Sequence, residues 1–368
     1  MERPIFKPIG SPVGELDTPA VIVDLDILER TFSTVASFFK DRKAKLRPRV
    51  DLHGCPALAH MQLAVAGTVG GVSVATLGQA EAFSGSGIND VSVRGLVVTP
   101  QKIARLCALA RHATVTVAVD NPANVADLSK AAAAARVQVK VVVAISTKPD
   151  RLGVEPGQPA VDLAKSVGDS AGLAFDGFMT IEEKLEVDDV SQLAAESRGW
   201  TQRAVDAREA AEAAGVSVTT VSVGGTYNFE VAGATDGVTE VPAGSYALMD
   251  SKYRGRRDGL EPAAKILTTV TSFPEGDKII TDGGNKAVGM DRGNPVSDEF
   301  PEAKIGLSAE HGNIGLETPT QRRINLGDKM WFTPWDMGVT ANLYDYMNAV
   351  RSGRLEAVWD LPARGRYR

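Results

Sequence analysis

Ionisable side chains are concentrated in the run Leu46–Pro56, which reads Leu-Arg-Pro-Arg-Val-Asp-Leu-His-Gly-Cys-Pro. Side chains alternate across a strand, so every second residue is predicted to lie on one face at the end of a buried strand. That face carries Arg47, Arg49, Asp51 and His53. A carboxylate and an imidazole held together can transfer a proton or bind a metal ion. The alternative is a solvated strand on which Asp51 pairs with Arg47 or Arg49 in a plain salt-bridge cluster.

A second candidate is the run Gly224-Gly-Thr-Tyr227, which follows an apolar stretch. Adjacent glycines let backbone N–H groups approach an anion, and the hydroxyl of Thr226 adds a further donor. The run therefore suits a phosphate group, with Gly224, Gly225, Thr226 and Tyr227 as the binding residues. A Gly-Gly pair is about as often only a turn, and this interpretation stays open.

The composition predicts a globular protein that is long enough for two domains, with 368 residues of which 43% are hydrophobic. Its net charge of −6 comes from interspersed acidic and basic residues, which argues against nucleic acid as a partner. Cys55 and Cys107 are the only cysteines, as expected in a reducing compartment. The N-terminal residues lack an apolar signal segment, and no apolar run approaches the length of about 18 residues that spans a membrane. We therefore expect a cytoplasmic protein with no membrane partner.

The candidate side chains belong to an alternation of apolar strands and amphipathic helices. Roughly eight strands, from Ala20–Leu25 through Lys45–Asp51 to Thr219–Val223, are separated by helical patterns. This pattern is typical of an α/β protein with a parallel (β/α)8 barrel of the TIM type. Active sites of such barrels lie on the loops that follow the strands, and these loops carry Asp51, His53, Arg151 and Gly224–Tyr227.

The pattern changes near Glu240. From Val241 onward short strands alternate with turns that contain Gly and Pro, among them Ser245–Met249, Ala264–Ser272 and Lys278–Thr281. The next helical pattern comes only at Ala341–Val350. We therefore predict a barrel over residues 18–238 and a mostly-β domain formed by residues 1–17 and 239–368.

Several runs along the chain resemble one known family. They are Thr18-Pro-Ala-Val-Ile-Val-Asp-Leu25, Gly71-Val-Ser-Val-Ala-Thr76, Arg151-Leu-Gly-Val154, Gly224-Gly-Thr226, Thr239-Glu-Val-Pro-Ala-Gly-Ser-Tyr-Ala-Leu-Met-Asp250, Asp282-Gly-Gly-Asn-Lys286, Glu310-His-Gly312 and Thr340-Ala-Asn-Leu-Tyr-Asp345. Together they resemble the D-threonine aldolase and D-serine dehydratase family, which are fold type III pyridoxal-phosphate enzymes with an alanine racemase-like barrel. The resemblance implies this barrel with a C-terminal mostly-β domain, a lyase, a small-molecule substrate and a homodimer.

The sequence departs from this family at the chemistry. Family members carry a run like Arg-Pro-His-x-Lys-Thr-His-Lys at the end of this barrel strand, and its first lysine forms the Schiff base with the cofactor. This chain has Asp51 at that position, while His53 matches the inner histidine. The resemblance therefore implies that pyridoxal phosphate, if Arg151 and the Gly224–Tyr227 loop bind it, is not held as a lysine aldimine at position 51.

A second departure concerns a metal ion, which the family binds through Pro-x-His-x-Asp or Pro-x-His-x-Cys. This chain reads Pro334-Trp-Asp-Met-Gly338, which puts Asp336 at the histidine and Gly338 at the second ligand. The resemblance implies that the loops bearing His311 and Asp336 close over the barrel mouth. We therefore expect a site for Mg²⁺, Mn²⁺ or Zn²⁺ formed by some of Asp51, His53, His311 and Asp336.

Three functions of different classes stay open. The first, which we favour, is a lyase that performs aldol cleavage or dehydration on a small hydroxy or amino acid. In it a metal ion replaces the aldimine as the electron acceptor, and Asp51 or His53 is the base. The second is non-covalent binding of pyridoxal phosphate through Gly224–Tyr227 and Arg151, where it would act as a bound aldehyde that forms an imine with an incoming amine, or binding of another phosphorylated ligand with little or no catalysis. The third is a binding protein that has lost catalysis.

Overall fold

The protein is described from a computed structural model, which covers residues 6–148, 151–181, 190–254, 256–257, 259–274, 278–316 and 323–368. The chain divides into two compact units that interleave along the sequence. The barrel unit contains Ser33–Asp51, Leu58–Gly244 and Gly365–Arg368. The β unit contains Met1–Phe32, Leu52–Ala57 and Ser245–Arg364.

The strands in chain order are β1 (Ala20–Asp24), β2 (Lys45–Pro48), β3 (Val72–Val74), β4 (Asp90–Val93), β5 (Thr114–Val119), β6 (Val139–Ile145), β7 (Leu173–Thr180), β8 (Thr220–Ser222), β9 (Glu240–Ala243), β10 (Ala264–Ser272), β11 (Lys278–Thr281), β12 (Lys304–Leu307), β13 (Gly312–Gly315), β14 (Lys329–Phe332), β15 (Tyr346–Arg351) and β16 (Arg354–Asp360). The helices are α1 (Leu25–Phe39), α2 (Pro56–Leu63), α3 (Leu77–Ser84), α4 (Pro100–Leu109), α5 (Pro122–Ala135), α6 (Gln158–Gly168), α7 (Val190–Ala213), α8 (Phe229–Ala234) and α9 (Met337–Ala341).

The barrel unit is one parallel sheet in the order β2-β9-β8-β7-β6-β5-β4-β3. Single parallel bridges from Leu46 to Thr68 and from Arg49 to Ser73 bring its two edge strands together, so the barrel is nearly closed. Helices α3, α4 and α5 start at side-chain caps; in α5 the Asn121 carboxamide oxygen accepts from the Ala123 N–H. The predicted α/β class, with a (β/α)8 barrel and a strand-rich C-terminal part, is confirmed.

The first predicted barrel strand lies elsewhere, and this expectation was wrong. Strand β1 pairs antiparallel with β10 and parallel with β15 in the sheet of the β unit. There Ala20 and Ile22 pack against Leu267 and Val350 in a buried apolar cluster. The missing barrel strand is β9, which the sequence analysis placed beyond the barrel. An apolar run of this length suits either sheet, so only the pairing distinguishes the two.

The sheet of the β unit runs in the order β12-β13-β11-β10-β1-β15-β16, with β14 also on β10. Two predictions in this region were wrong. Ser245–Met249 is not a strand but contains a 3-10 turn, Ser245–Ala247, and the helix expected at Ala341–Val350 is replaced by α9 and β15. Among the described residues no helix is long and apolar enough to cross a membrane.

Candidate active site

Asp51 lies in a 3-10 turn, not on a strand. Strand β2 ends at Pro48, and Val50–Leu52 form the turn, so the predicted strand Lys45–Asp51 is too long. Within the turn Arg49 donates from Nε to Oδ1 of Asp51 at 3.0 Å and from Nη2 to Oδ2 at 2.8 Å. The Asp51 side chain is 7% exposed and that of Arg49 is 35% exposed. The structure thus shows the pairing that the sequence analysis held as the alternative for Asp51.

Arg47 does not share a face with Asp51 as predicted, because the backbone leaves the strand for the 3-10 turn Val50–Leu52. Its Nε donates to Glu240 at 2.7 Å and its Nη1 donates to Asp90 at 3.0 Å, all within the barrel unit. Burial would lower the pKa of Arg47, but the charges of Glu240 and Asp90 outweigh it and raise that pKa. Arg47 is therefore a structural cation that joins β2 to its neighbours.

His53 is buried in the β unit, with 2% of its surface exposed. Its Nδ1 accepts a hydrogen bond from the backbone N–H of Cys55 at 3.0 Å. An accepting nitrogen carries no proton, so the neutral ring has its hydrogen on Nε2. The role of His53 as a base stays a prediction, and its basic nitrogen Nδ1 already accepts this hydrogen bond.

The predicted phosphate loop is a turn between β8 and α8. Gly224 has a φ of +94°, and a Cβ there would lie 2.8 Å from that of Ala232, so the position requires glycine. The Gly225 N–H donates to Oδ1 of Asn228 at 2.8 Å. Thr226 is buried, and Tyr227 packs edge-on against Trp200. A phosphate that used the Gly225 N–H would have to displace the Asn228 side chain.

Two arginines lie after other strands of the barrel. Arg151 donates from Nη2 to the carbonyl of Ile181 at 3.3 Å, a contact to the loop after β7. Arg94, just after β4, is 6% exposed and donates to Oγ of Ser222 at 3.3 Å. The buried Arg94 guanidinium therefore lies next to Ser222, the last residue of β8. The Gly224–Tyr227 loop begins two residues after Ser222.

The two predicted metal ligands lie in the β unit in different surroundings. His311 is exposed in the turn between β12 and β13, where its carbonyl accepts from the Ser308 N–H at 2.9 Å. Asp336 caps helix α9, because its Oδ1 accepts from the N–H groups of Gly338 at 2.8 Å and Val339 at 3.1 Å.

An ionic cluster around Lys252 was not anticipated from the sequence. Its Nζ lies 2.8 Å from Oδ2 of Asp336 and 3.1 Å from Oδ2 of Asp250. The Asp250 side chain is 2% exposed and also accepts from the Met337 N–H at 3.1 Å. The first three N–H groups of α9 are thus bonded by two carboxylates that share one ammonium. The run Met-Asp-Ser-Lys252 was visible, but its partner Asp336 lies 84 residues away.

Burial shifts the pKa values of the acidic and basic groups of this cluster in opposite directions. It raises the pKa of Asp250 to about 6, more than the ammonium of Lys252 lowers it. For Asp336 burial also acts upward, but Lys252 and the helix N–H groups together hold its pKa below the ordinary value. Desolvation would lower the pKa of Lys252, yet the neighbouring acidic groups raise it, so its side chain is a permanent cation at neutral pH.

Comparison with known proteins places the chain among enzymes. The family of the alanine racemase N-terminal domain matches residues 23–252, and that of the putative serine dehydratase domain matches residues 263–350. The D-threonine aldolase of Arthrobacter sp is 31% identical over 97% of this chain and 95% of that protein. The D-threo-3-hydroxyaspartate dehydratase of Delftia sp. (strain HT23) is 31% identical over 94% of this chain and 97% of that protein. The crystal structure of D-threonine aldolase from Filomicrobium marinum has a TM-score of 0.92 at 32% identity, covering 98% of this chain and 99% of that one.

The nearly closed barrel and the strand-rich unit define a fold type III protein of the alanine racemase type. The chain belongs to the D-threonine aldolase and D-serine dehydratase family, and it is an enzyme of the lyase class. The resemblance found in the sequence is therefore confirmed.

Pyridoxal phosphate is the cofactor of this family, but its covalent form does not fit the residues at position 51. A Schiff base needs an amine, whereas Asp51 presents a carboxylate whose two oxygens are bonded to Arg49. Residue 51 therefore cannot bind the cofactor as an aldimine. Arg151 and the Gly224–Tyr227 loop stay the predicted residues for a non-covalently bound phosphate.

A divalent ion at Asp336 does not fit its contacts either. One oxygen of this carboxylate is bonded to two N–H groups, and the other faces the ammonium of Lys252. In the described ranges no three His, Cys, Asp or Glu side chains are grouped as a metal site requires. A metal site formed by some of Asp51, His53, His311 and Asp336 stays a prediction, and Asp336 would have to give up its bond to Lys252 to join it.

Proposed function

We propose that the protein is a lyase that cleaves or dehydrates a small β-hydroxy amino acid of D configuration without forming a Schiff base at position 51. The named substrates of the relatives, D-threonine and D-threo-3-hydroxyaspartate, support the substrate class. The observation that carries the second part is the paired contact between Arg49 and Asp51. It holds a carboxylate, which cannot form an imine, at the position where the resemblance expects the family lysine.

Both reactions require proton transfers that side chains of this chain can perform. In aldol cleavage the β-hydroxyl loses its proton, the Cα–Cβ bond breaks with its electron pair passing to Cα, and Cα gains a proton. Pyridoxal phosphate joined to the substrate amine would, when bound, accept that electron pair. In dehydration Cα loses its proton and the β-hydroxyl leaves as water. Asp51, a carboxylate, is our candidate for the base, and it must exchange at least one of its two hydrogen bonds from Arg49 for one to the substrate. His53, an imidazole that can take up and release a proton, is our candidate for the second proton carrier. Metal assistance through His311 and Asp336 is not part of this proposal, because the oxygens of Asp336 already have partners.

A product assay tests the proposal. The purified full-length protein is incubated with D-threonine or D-threo-3-hydroxyaspartate, with and without added pyridoxal phosphate. Glycine and aldehyde report cleavage, while ammonia and a 2-oxo acid report dehydration. We expect product from at least one substrate, and a loss of about 10²-fold or more for Asp51→Asn. Lys286→Gln, which removes an exposed ion pair with Glu310, is the matched control and should keep its activity.

The alternative is a protein that binds pyridoxal phosphate or another phosphorylated ligand non-covalently, with little or no catalysis. The Arg49–Asp51 contact favours it, because this contact satisfies both charges without a reaction. Absence of product from both substrates in every arm, together with a reversible absorbance change on adding pyridoxal phosphate, would move this alternative ahead.

We also infer that the protein is a cytoplasmic homodimer with neither nucleic acid nor a membrane as partner. Cys55 and Cys107 are both buried free thiols, which supports a reducing compartment. Light scattering coupled to size exclusion tests the dimer, and a monomer at assay concentration would contradict it.

A further inference from the structure

We propose that Lys252 is a built-in cation that takes the place of a divalent metal ion at Asp336, so that this part of the protein requires no metal. The inference concerns the β unit alone and does not depend on the lyase reaction. Asp336 stands where the resemblance places a metal-binding histidine, and the structure gives it an ammonium partner at 2.8 Å.

The first support is the convergence of two carboxylates from distant parts of the chain on one ammonium. Asp250 and Asp336 each turn one oxygen toward Nζ of Lys252. Without a cation between them, two partly buried carboxylates would repel each other. Oxygen ligands around one positive charge also form the setting in which Mg²⁺ or Mn²⁺ binds. The ammonium therefore supplies the charge that an ion would otherwise supply.

The second support is the lack of room for a side chain at position 338, where the resemblance places the second metal ligand. A Cβ added to Gly338 would lie 3.1 Å from Oδ1 of Asp336 and 3.3 Å from both Cδ2 and the carbonyl oxygen of Leu52. A longer side chain would require these neighbours to move. Of the two positions that the resemblance assigns to metal ligands, one is thus a glycine with closely packed surroundings. The other is Asp336, whose carboxylate is paired with Lys252.

The third support is that the cluster is tied to local structure. Asp336 bonds the N–H groups of Gly338 and Val339, and Asp250 bonds that of Met337. These hydrogen bonds orient both carboxylates within the fold. Lys252 pairs with both of these oriented carboxylates, which distinguishes it from a surface lysine that forms one exposed ion pair.

Metal analysis and thermal melting of the full-length protein test the proposal. We expect the wild type to carry no stoichiometric divalent metal as purified, and its melting temperature to be unchanged by EDTA or by added Mn²⁺. Lys252→Met removes the ammonium and keeps the apolar stem, so its melting temperature should fall by several degrees. Added Mn²⁺ should then restore most of that loss, and the double variant Lys252→Met/Asp336→Asn should not respond.

Lys265→Met is the matched control, because Nζ of Lys265 pairs with Asp298 at 2.7 Å in the same unit. Its melting temperature should not respond to Mn²⁺. Stoichiometric metal in the wild type, or a drop in its melting temperature with EDTA, would overturn the proposal, and this measurement needs no variant to fold. A folded Lys252→Met protein that ignores Mn²⁺ would also overturn it, since the lysine would then be an ordinary salt-bridge partner.

Discussion

Arg49 donates two parallel hydrogen bonds to Asp51, from Nε to Oδ1 at 3.0 Å and from Nη2 to Oδ2 at 2.8 Å. Residue 50, which separates them, begins the 3-10 turn Val50–Leu52, so the local backbone brings the two side chains together. Bidentate contacts of this type are both strong and geometrically specific. The Arg49 guanidinium therefore lies directly against the side chain of residue 51.

This relationship predicts the behaviour of Asp51→Lys. The new amine would lie beside Arg49, whose positive charge lowers the pKa of a nearby lysine and favours the neutral form that attacks an aldehyde. We expect the variant to develop a yellow band with added pyridoxal phosphate, and borohydride should fix a pyridoxyl group on residue 51. Peptide mass analysis makes the measurement. The wild type serves as control and should yield no such adduct between residues 45 and 54; a stoichiometric adduct there would contradict the proposed function.

The Gly224–Tyr227 loop predicts that a side chain at Gly225 weakens phosphate binding without unfolding the protein. A Cβ at Gly225 would meet only the Tyr227 ring, at 3.3 Å, so Gly225→Val should fold with little loss of stability. Its branched side chain should still block approach to the backbone N–H, so we expect binding of pyridoxal phosphate to weaken by about tenfold or more. Fluorescence titration measures the binding. Gly225→Ala is the milder control, and equal affinity in the valine variant would show that the loop is only a turn.

Arg47 predicts a large stability effect in the barrel. Its side chain is 13% exposed and that of its partner Glu240 is 7% exposed. Arg47→Met would leave a buried carboxylate without its cation, which costs about 3–5 kcal/mol of the free energy of unfolding. Lys140→Met is the control, because Lys140 is 45% exposed in its pair with Asp176 and should cost less than about 1 kcal/mol. Urea unfolding compares the two, and similar losses would contradict the structural role of Arg47.

The raised pKa of Asp250 predicts how stability depends on pH. Its value rises from 3.8 to about 6 on folding, so between these values the folded state binds more protons. The stabilising contribution is complete at low pH and is lost as the pH rises through about 6, by roughly 3 kcal/mol in total. We expect the wild type to lose this amount relative to Asp250→Asn between about pH 4 and about pH 7. Chemical unfolding at several pH values measures it, and a constant difference between the two proteins would disagree with the prediction.

The sequence determined the repeated strand and helix pattern and several bounds within it. β10 and β11 have the predicted ends, Ala264–Ser272 and Lys278–Thr281. These strands are apolar runs between turn residues, so local preference and burial agree. The family was also readable, because its motifs are contiguous runs that need no folding to be compared.

Tertiary structure decided which sheet each strand joined and which charges met. Local pattern could not tell that β1 leaves the barrel and that β9 completes it, because pairing partners lie far away in the chain. The same holds for Lys252, whose contact with Asp336 spans 84 residues. Asp51 was identified from its type and position, but whether it faced Arg47 or Arg49 depended on where β2 ends and the turn begins. Side-chain direction follows backbone geometry, and that geometry is set by contacts no single run of sequence contains.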